Sequence, residues 1–254
     1  MSQEATSIRM EDGDCRAFVF TPDDAVAGGK WPAVIFFLDG MGMRPAIYPM
    51  AQRIADMGYV VLLPDIFYRA GAYAPIDPMA VFGGGDPMAA IAHIFSTTDN
   101  RRAAADTASF IAYLDTRSDV AGRKIGVTGY CLGGSIVVAT AGTYPDRVAA
   151  AASFHGGYLA SDDPKSPHLL APAIKAKLLI AGADEDVYYP RDMKARLEAA
   201  LDAAGVDYVS EIWDGLIHGW TMSDFPVYDH DGAERHFDAI EALFGKTLKN
   251  SPLQ

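Results

Sequence analysis

A cysteine with glycines two positions before and two after it, in Gly129-Tyr130-Cys131-Leu132-Gly133-Gly134, follows an apolar run containing Ile125 and Val127 and leads into helix-forming sequence. This is the G-x-C-x-G form of a nucleophile elbow. The reactive residue sits on a strained strand-to-helix turn, and the positions two away on either side must be nearly free of side chain. Such a turn presents Cys131 at a sheet edge and at a helix N-terminus, where the first peptide dipoles favour a thiolate able to attack a carbonyl. Other Gly-rich crossings bind phosphates, but a dinucleotide fingerprint needs G-x-G-x-x-G and a P-loop needs Lys followed by Ser or Thr. Gly133-Gly134-Ser135-Ile136 supplies neither.

A cysteine nucleophile needs a base, and the base needs an orienting acid; in the hydrolase arrangement both follow the nucleophile, acid first and His last. The acidic loop is Ala181-Gly182-Ala183-Asp184-Glu185-Asp186-Val187, and the His comes in Asp214-Gly215-Leu216-Ile217-His218-Gly219-Trp220, after an apolar run ending at Trp213. His155 also ends such a run, but it precedes the acidic loop and reads as pocket lining or as structural. His230 and His236, on or near the last helix, read as surface residues, and His93 and His168 fall in irregular segments with no evident partner.

The elements that must hold these groups are short apolar runs alternating with helical patterns. Strands are predicted at 16–20, 33–38, 59–63, 124–128, 149–154, 177–180 and 208–213. Their near-continuous apolar character indicates a mostly parallel sheet with helices on both faces, an α/β fold. A helix is predicted over 190–204, with Met193, Leu197, Ala200, Leu201 and Ala204 on one stripe, Pro190 at its start and Gly205 just past its end. A last helix over 233–248 carries Phe237, Ile240, Phe244 and Leu248. Two stretches, 70–87 and 156–172, are rich in Pro and too long for ordinary connectors, and read as lids or binding loops.

Composition narrows the function classes. The 254 residues are 50% hydrophobic and carry a formal charge of -12 with no basic run, which repels nucleic acid. With no repeat, linker or low-complexity tail, a single domain over 1–254 is expected. There are two cysteines, Cys15 and Cys131; a free thiolate at Cys131 leaves no disulfide, which suits a reducing compartment. The N-terminal sequence lacks a signal-peptide pattern and no apolar run approaches the ~18 residues that span a bilayer, so a cytoplasmic protein without membrane partners is expected. The chemistry calls for no metal or cofactor.

The constellation resembles the dienelactone hydrolase family of the α/β-hydrolase fold. The likeness rests on the Cys elbow, on Met57-Gly58-Tyr59 through Pro64-Asp65-Ile66-Phe67-Tyr68-Arg69, on the acidic loop and on His218-Gly219. It implies Cys131 as nucleophile, His218 as general base and an Asp of the acidic loop as its partner. Asp186 stands four residues before Pro190, as in the family, whereas Asp184 fits a count from the strand end; the register from the helix favours Asp186. The resemblance also gives the backbone N–H groups of Gly40 and Leu132 to an oxyanion hole. At Asp39 better-known members carry a Glu that holds the resting thiol. Asp is one methylene shorter, roughly 1.5 Å of lost reach, so Asp39 is read either as a thiol-contacting acid or as a turn residue accepting loop N–H bonds. Arg69 is the closest candidate for holding a substrate carboxylate, ahead of Arg44 and Arg101. The activity implied is opening of lactones or activated esters of small molecules. Its rivals are a general carboxylesterase or thioesterase, and a non-catalytic receptor on the same fold.

Overall fold

A computed structural model describes residues 2–26 and 28–249; residues 1, 27 and 250–254, which fall within the span expected to form one domain, lie outside the described residues. In chain order the elements are β1 (Ser2–Met10), β2 (Gly13–Thr21), β3 (Trp31–Phe37), α1 (Ile47–Asp56), β4 (Val60–Pro64), α2 (Pro78–Gly83), α3 (Pro87–Phe95), α4 (Asn100–Thr116), β5 (Val120–Tyr130), α5 (Leu132–Thr143), β6 (Val148–Phe154), β7 (Lys177–Ala183), α6 (Arg191–Ala204), β8 (Tyr208–Trp213) and α7 (His230–Phe244). The strands form one sheet in the order β1-β2-β4-β3-β5-β6-β7-β8. From β4 to β8 every pairing is parallel, while β1 and β2 are antiparallel to their neighbours at one edge.

Burial follows the sequence pattern. Ala33 to Phe37 and Val60 to Leu63 are wholly buried, because helices cover both faces of the central strands and every side chain of an apolar run finds a partner. At the edge, β1 buries only Ile8 and Met10 at its far end; its first half, Ser2-Gln3-Glu4-Ala5-Thr6, gives no apolar signal and was not predicted as a strand. Helix α6 ends at Gly205 in the left-handed region (φ 67°), as the predicted C-terminal glycine requires. Helix α7 starts three residues earlier than expected, where the Asp229 carboxylate accepts the Gly232 N–H at 2.7 Å.

The stretch 70–87 is not an irregular loop: it holds α2, and α3 follows directly. Each helix is opened by an Asp-Pro pair, with Asp77 accepting the Met79 N–H and Asp86 the Met88 N–H, both at 2.9 Å. His93 therefore lies on α3 rather than in an irregular segment, and His168 lies in a 3-10 turn with Nδ1 2.8 Å from Ser166 Oγ. His236 corrects the surface expectation outright. Helix α7 turns it inward, where it is wholly buried edge-on to Tyr130 and Phe154, and burial pushes its pKa down to about 3. Among the described residues no helix is long and apolar enough to cross a membrane.

Because β3 and β5 to β8 are parallel, their carboxyl ends lie along one edge. The loops that follow them carry Asp39 and Gly40, Cys131, His155, Asp184 and Asp186, and His218.

Candidate active site

Cys131 has φ 54° and ψ -115°, outside the comfortable regions for an L-residue, a conformation that costs about 1–3 kcal/mol. The glycine spacing is enforced by contact. A Cβ on Gly129 would stand 2.3 Å from the Gly133 carbonyl oxygen, and one on Gly133 would stand 2.2 Å from the Phe37 carbonyl oxygen. Strand β5, helix α5 and the end of β3 thus converge on backbone with no room for a methyl group. The strained turn is held by the Cys131 N–H, which reaches both the Phe154 carbonyl at 3.2 Å and His155 Nδ1 at 3.1 Å.

His218 Nδ1 lies 2.7 Å from Asp186 Oδ2, with the Asp186 side chain fully buried. The other oxygen of Asp186 accepts the Tyr188 N–H at 2.8 Å, which fixes the carboxylate plane. Asp184 takes a different part: it accepts from Arg191 at 3.0 Å and from the Gly215 N–H at 3.3 Å, bracing the His loop through its backbone. Of the two sequence candidates, Asp186 is the one bonded to the ring. Burial opposes a charge on His218, but Cys131 and the Asp186 carboxylate outweigh it and raise the ring pKa to about 10. Buried Nε2 has no well-formed hydrogen bond in the resting geometry; such contacts commonly tighten only when substrate is bound. Tyr188 packs edge-on against the ring, centroids 4.9 Å apart.

Cys131, Leu132, Asp39, Gly40, Asp184, Asp186 and His218 all border one cavity of about 940 Å³. Both sequence excursions reach it, through Phe82 and Pro87 from the first and Tyr158 and Lys165 from the second. No backbone or side-chain acceptor among the described residues takes the N–H of Gly40 or of Leu132. No group of three or more His, Cys, Asp or Glu among the described residues is arranged to hold a metal ion.

Two of the sequence expectations change here. Asp39 makes no bond to Cys131 among the described residues: its two oxygens are taken by Arg44 at 2.7 and 2.8 Å, and one also accepts the Met41 N–H at 2.8 Å. It is the turn residue of the two alternatives, and the shortened side chain stays within its own loop. Arg44, expected as a carboxylate holder, is 1% exposed and bonded to Asp224 as well, at 2.6 Å. Nothing in the sequence pointed to a pair 180 residues apart. From the excursion, the Tyr73 hydroxyl accepts the Met43 N–H at 3.0 Å, so the loop carrying Gly40 is pinned from both ends.

Arg69 is the second correction. It does not border the cavity, and its guanidinium is ion-paired with Asp106, in two bonds of 2.7 Å, and with Asp12 at 2.6 Å. Arg101 likewise lies off the cavity and donates to the Lys165 and Ser166 carbonyls. His155, read from sequence as pocket lining or as structural, is wholly buried, absent from the cavity wall, and joined through Nε2 to Thr221 Oγ1 at 2.8 Å.

The sequence profile of the dienelactone hydrolase family matches residues 15–248. A protein of Synechocystis sp. assigned as a carboxymethylenebutenolidase is 26% identical over 231 residues, 89% of this chain and 90% of that one. Among solved structures, a protein of Klebsiella pneumoniae assigned as a dienelactone hydrolase superposes with a TM-score of 0.80 at 21% identity, covering 96% of this chain and 98% of its own. A thermophilic esterase of Thermogutta terrifontis, solved with propionate bound, superposes with a TM-score of 0.71 at 16% identity over 96% of this chain and 94% of its own.

Proposed function

The chain belongs to the dienelactone hydrolase family and is a hydrolase of that kind, and from this premise we propose that it cleaves lactones or activated carboxylic esters through Cys131, His218 and Asp186. The observation that carries the reading is the 2.7 Å bond between Asp186 and His218 beside a cysteine on a glycine-flanked elbow, all facing one cavity.

In this mechanism the His218 imidazolium stands beside Cys131, whose attacking form is the thiolate. Sulfur attacks the carbonyl carbon and forms the C–S bond as the C=O pair moves onto oxygen. The oxyanion receives the Gly40 and Leu132 N–H groups, donors already in position before the charge develops. Collapse breaks the C–O bond, and the departing alkoxide or enolate takes the Nε2 proton. Neutral His218 then removes a proton from water, whose oxygen adds to the thioester; expulsion of the thiolate releases the acid and restores the ion pair. Asp186 keeps a proton on Nδ1 throughout, so that Nε2 is the nitrogen that exchanges. Because thiolate is itself a good leaving group, an amine would leave less readily than sulfur returns, which selects esters over amides.

Mass spectrometry of enzyme quenched during turnover of p-nitrophenyl butyrate should find one butyryl group, on Cys131, and Cys131→Ala should lose both the adduct and turnover while keeping its circular dichroism. Retained turnover in that variant would sink the assignment. A general carboxylesterase is the second reading, favoured by a cavity of about 940 Å³, far larger than a small lactone fills.

A further inference from the structure

The walls of this cavity say what kind of substrate it admits. Ile91, Phe95, Leu132, Phe225 and Val227 line it, and the apolar surface continues onto the rim. Ten large hydrophobic side chains are exposed among the described residues, and five of them, Phe82, Met88, Tyr158, Val187 and Ile217, border this one cavity. That concentration is not the scatter of single apolar residues a folded surface normally shows.

The charges around it are nearly all negative. Asp99, Asp163, Asp184 and Glu185 border the cavity together with Asp39 and Asp186, whereas, apart from the His218 ring held by Asp186, Lys165 is its single cation. That cation is already paired, its Nζ 2.9 Å from Asp99 and its side chain 60% exposed to solvent. Of the arginines that could have met a carboxylate, Arg44 is paired with Asp39 and Asp224 and Arg69 with Asp106 and Asp12, while Arg101, outside the cavity wall, donates to the Lys165 and Ser166 carbonyls. A carboxylate brought into such a pocket leaves water, finds only cations already paired with Asp99 and Asp186, and meets Asp163 and Glu185, which have no ion-pair partner among the described residues.

We propose that the cavity accepts uncharged esters with a bulky apolar group and excludes substrates bearing a free carboxylate. The proposal rests on the ester-hydrolase reading for its chemistry, but it is a statement about binding. Phe82 and Phe225, ring centroids 5.0 Å apart at the mouth, receive the apolar group while the ester carbonyl faces Cys131.

The test compares p-nitrophenyl hexanoate with mono-p-nitrophenyl adipate, nearly the same length but ending in a carboxylate. Calorimetric binding to Cys131→Ala should favour the hexanoate at least about 30-fold, because the adipate carboxylate must shed water without an unpaired counter-charge, and kcat/KM of the intact enzyme should follow. Val187→Arg adds a cation on the rim, at a position 79% exposed so that folding does not depend on it; it should narrow the preference about tenfold, chiefly through KM. Equal affinity for the two esters, or no measurable binding of the hexanoate, overturns the proposal whatever the turnover. Discrimination in binding with no turnover of either ester would instead overturn the hydrolase reading and leave this one standing.

Discussion

The end of β6 and the loop after β8 bring two imidazoles to the same place, the wholly buried His155 and the half-buried His218, with ring centroids 5.1 Å apart. Burial disfavours charge on both, yet the two end in opposite states. His218 has the Asp186 carboxylate on one nitrogen and Cys131 near the other, which together raise its pKa to about 10. His155 has no acid at all: burial and the neighbouring His218 charge push its pKa well below the ordinary value. Its hydrogen bonds also fix the tautomer. Nδ1 accepts the Cys131 N–H, so the ring proton is on Nε2 and points to Thr221 Oγ1. The two differ somewhat in depth, but the opposite directions of their shifts follow from their first partners.

The largest effect should come from removing the partner that makes His218 different. Asp186→Asn keeps the shape but offers an amide that can hold the wrong tautomer, and kcat on a p-nitrophenyl ester should fall about 10² to 10⁴-fold. The loss should lie at the low end because the thiolate still supports the imidazolium. Asp184→Asn, which only slackens the contacts to Arg191 and the Gly215 N–H, should cost less than about threefold. The reverse ranking in folded variants would move the orienting acid to Asp184.

An intermediate effect is expected at His155. His155→Phe preserves ring volume but removes the acceptor for the Cys131 N–H and the donor to Thr221, untying the elbow from the segment that follows His218. The Cys131 N–H keeps the Phe154 carbonyl, so the fold should survive with a loss of about 1–2 kcal/mol. We expect kcat to drop about tenfold with KM within twofold, since the geometry of attack is disturbed and the cavity wall is not. An unchanged kcat would make His155 a packing residue and nothing more.

The central sheet was legible because near-continuous apolar runs have one explanation in a chain of this composition, a strand covered on both faces. The elbow was legible because its glycines answer to a steric demand that is local. What escaped was non-local or polar. Strand β1 pairs as an antiparallel edge with mostly exposed residues, so no hydrophobic period marks it. The Asp-Pro openings of α2 and α3 were present at Asp77-Pro78 and Asp86-Pro87, but the density of Gly and Pro nearby masked them. Arg69 was read as a carboxylate holder from its place after a strand end, and Arg44 as a weaker one, but position says nothing of what the chain brings back later: Asp106 reaches Arg69, and Asp224 joins the nearby Asp39 on Arg44.

The smallest effect is on stability, and there the two imidazoles should pull in opposite directions. His218 is raised above its unfolded value of 6.5, so the stability it contributes is fully present below pH 6.5 and is lost as pH rises toward about 10. His155 is lowered, as is His236 to about 3, so the unfolded chain binds protons that the folded one refuses; their contribution is present above pH 6.5 and declines as pH falls through the acid range, for His236 until about pH 3. Thermal unfolding followed from pH 4 to 10 should therefore show a maximum near pH 6.5 to 7, with a shift of a few degrees on either side. Cys131→Ala should flatten the alkaline side, because the thiolate is the chief influence raising His218, and should leave the acid side as it was. Protonation of His155 would in addition place a proton on Nδ1 against the Cys131 N–H, so on the acid side the elbow should loosen before the sheet does. Iodoacetamide labelling of Cys131 through the same pH series reads that loosening directly, and a label rate that tracks global unfolding would show that the neutral imidazole gives the elbow no separate support.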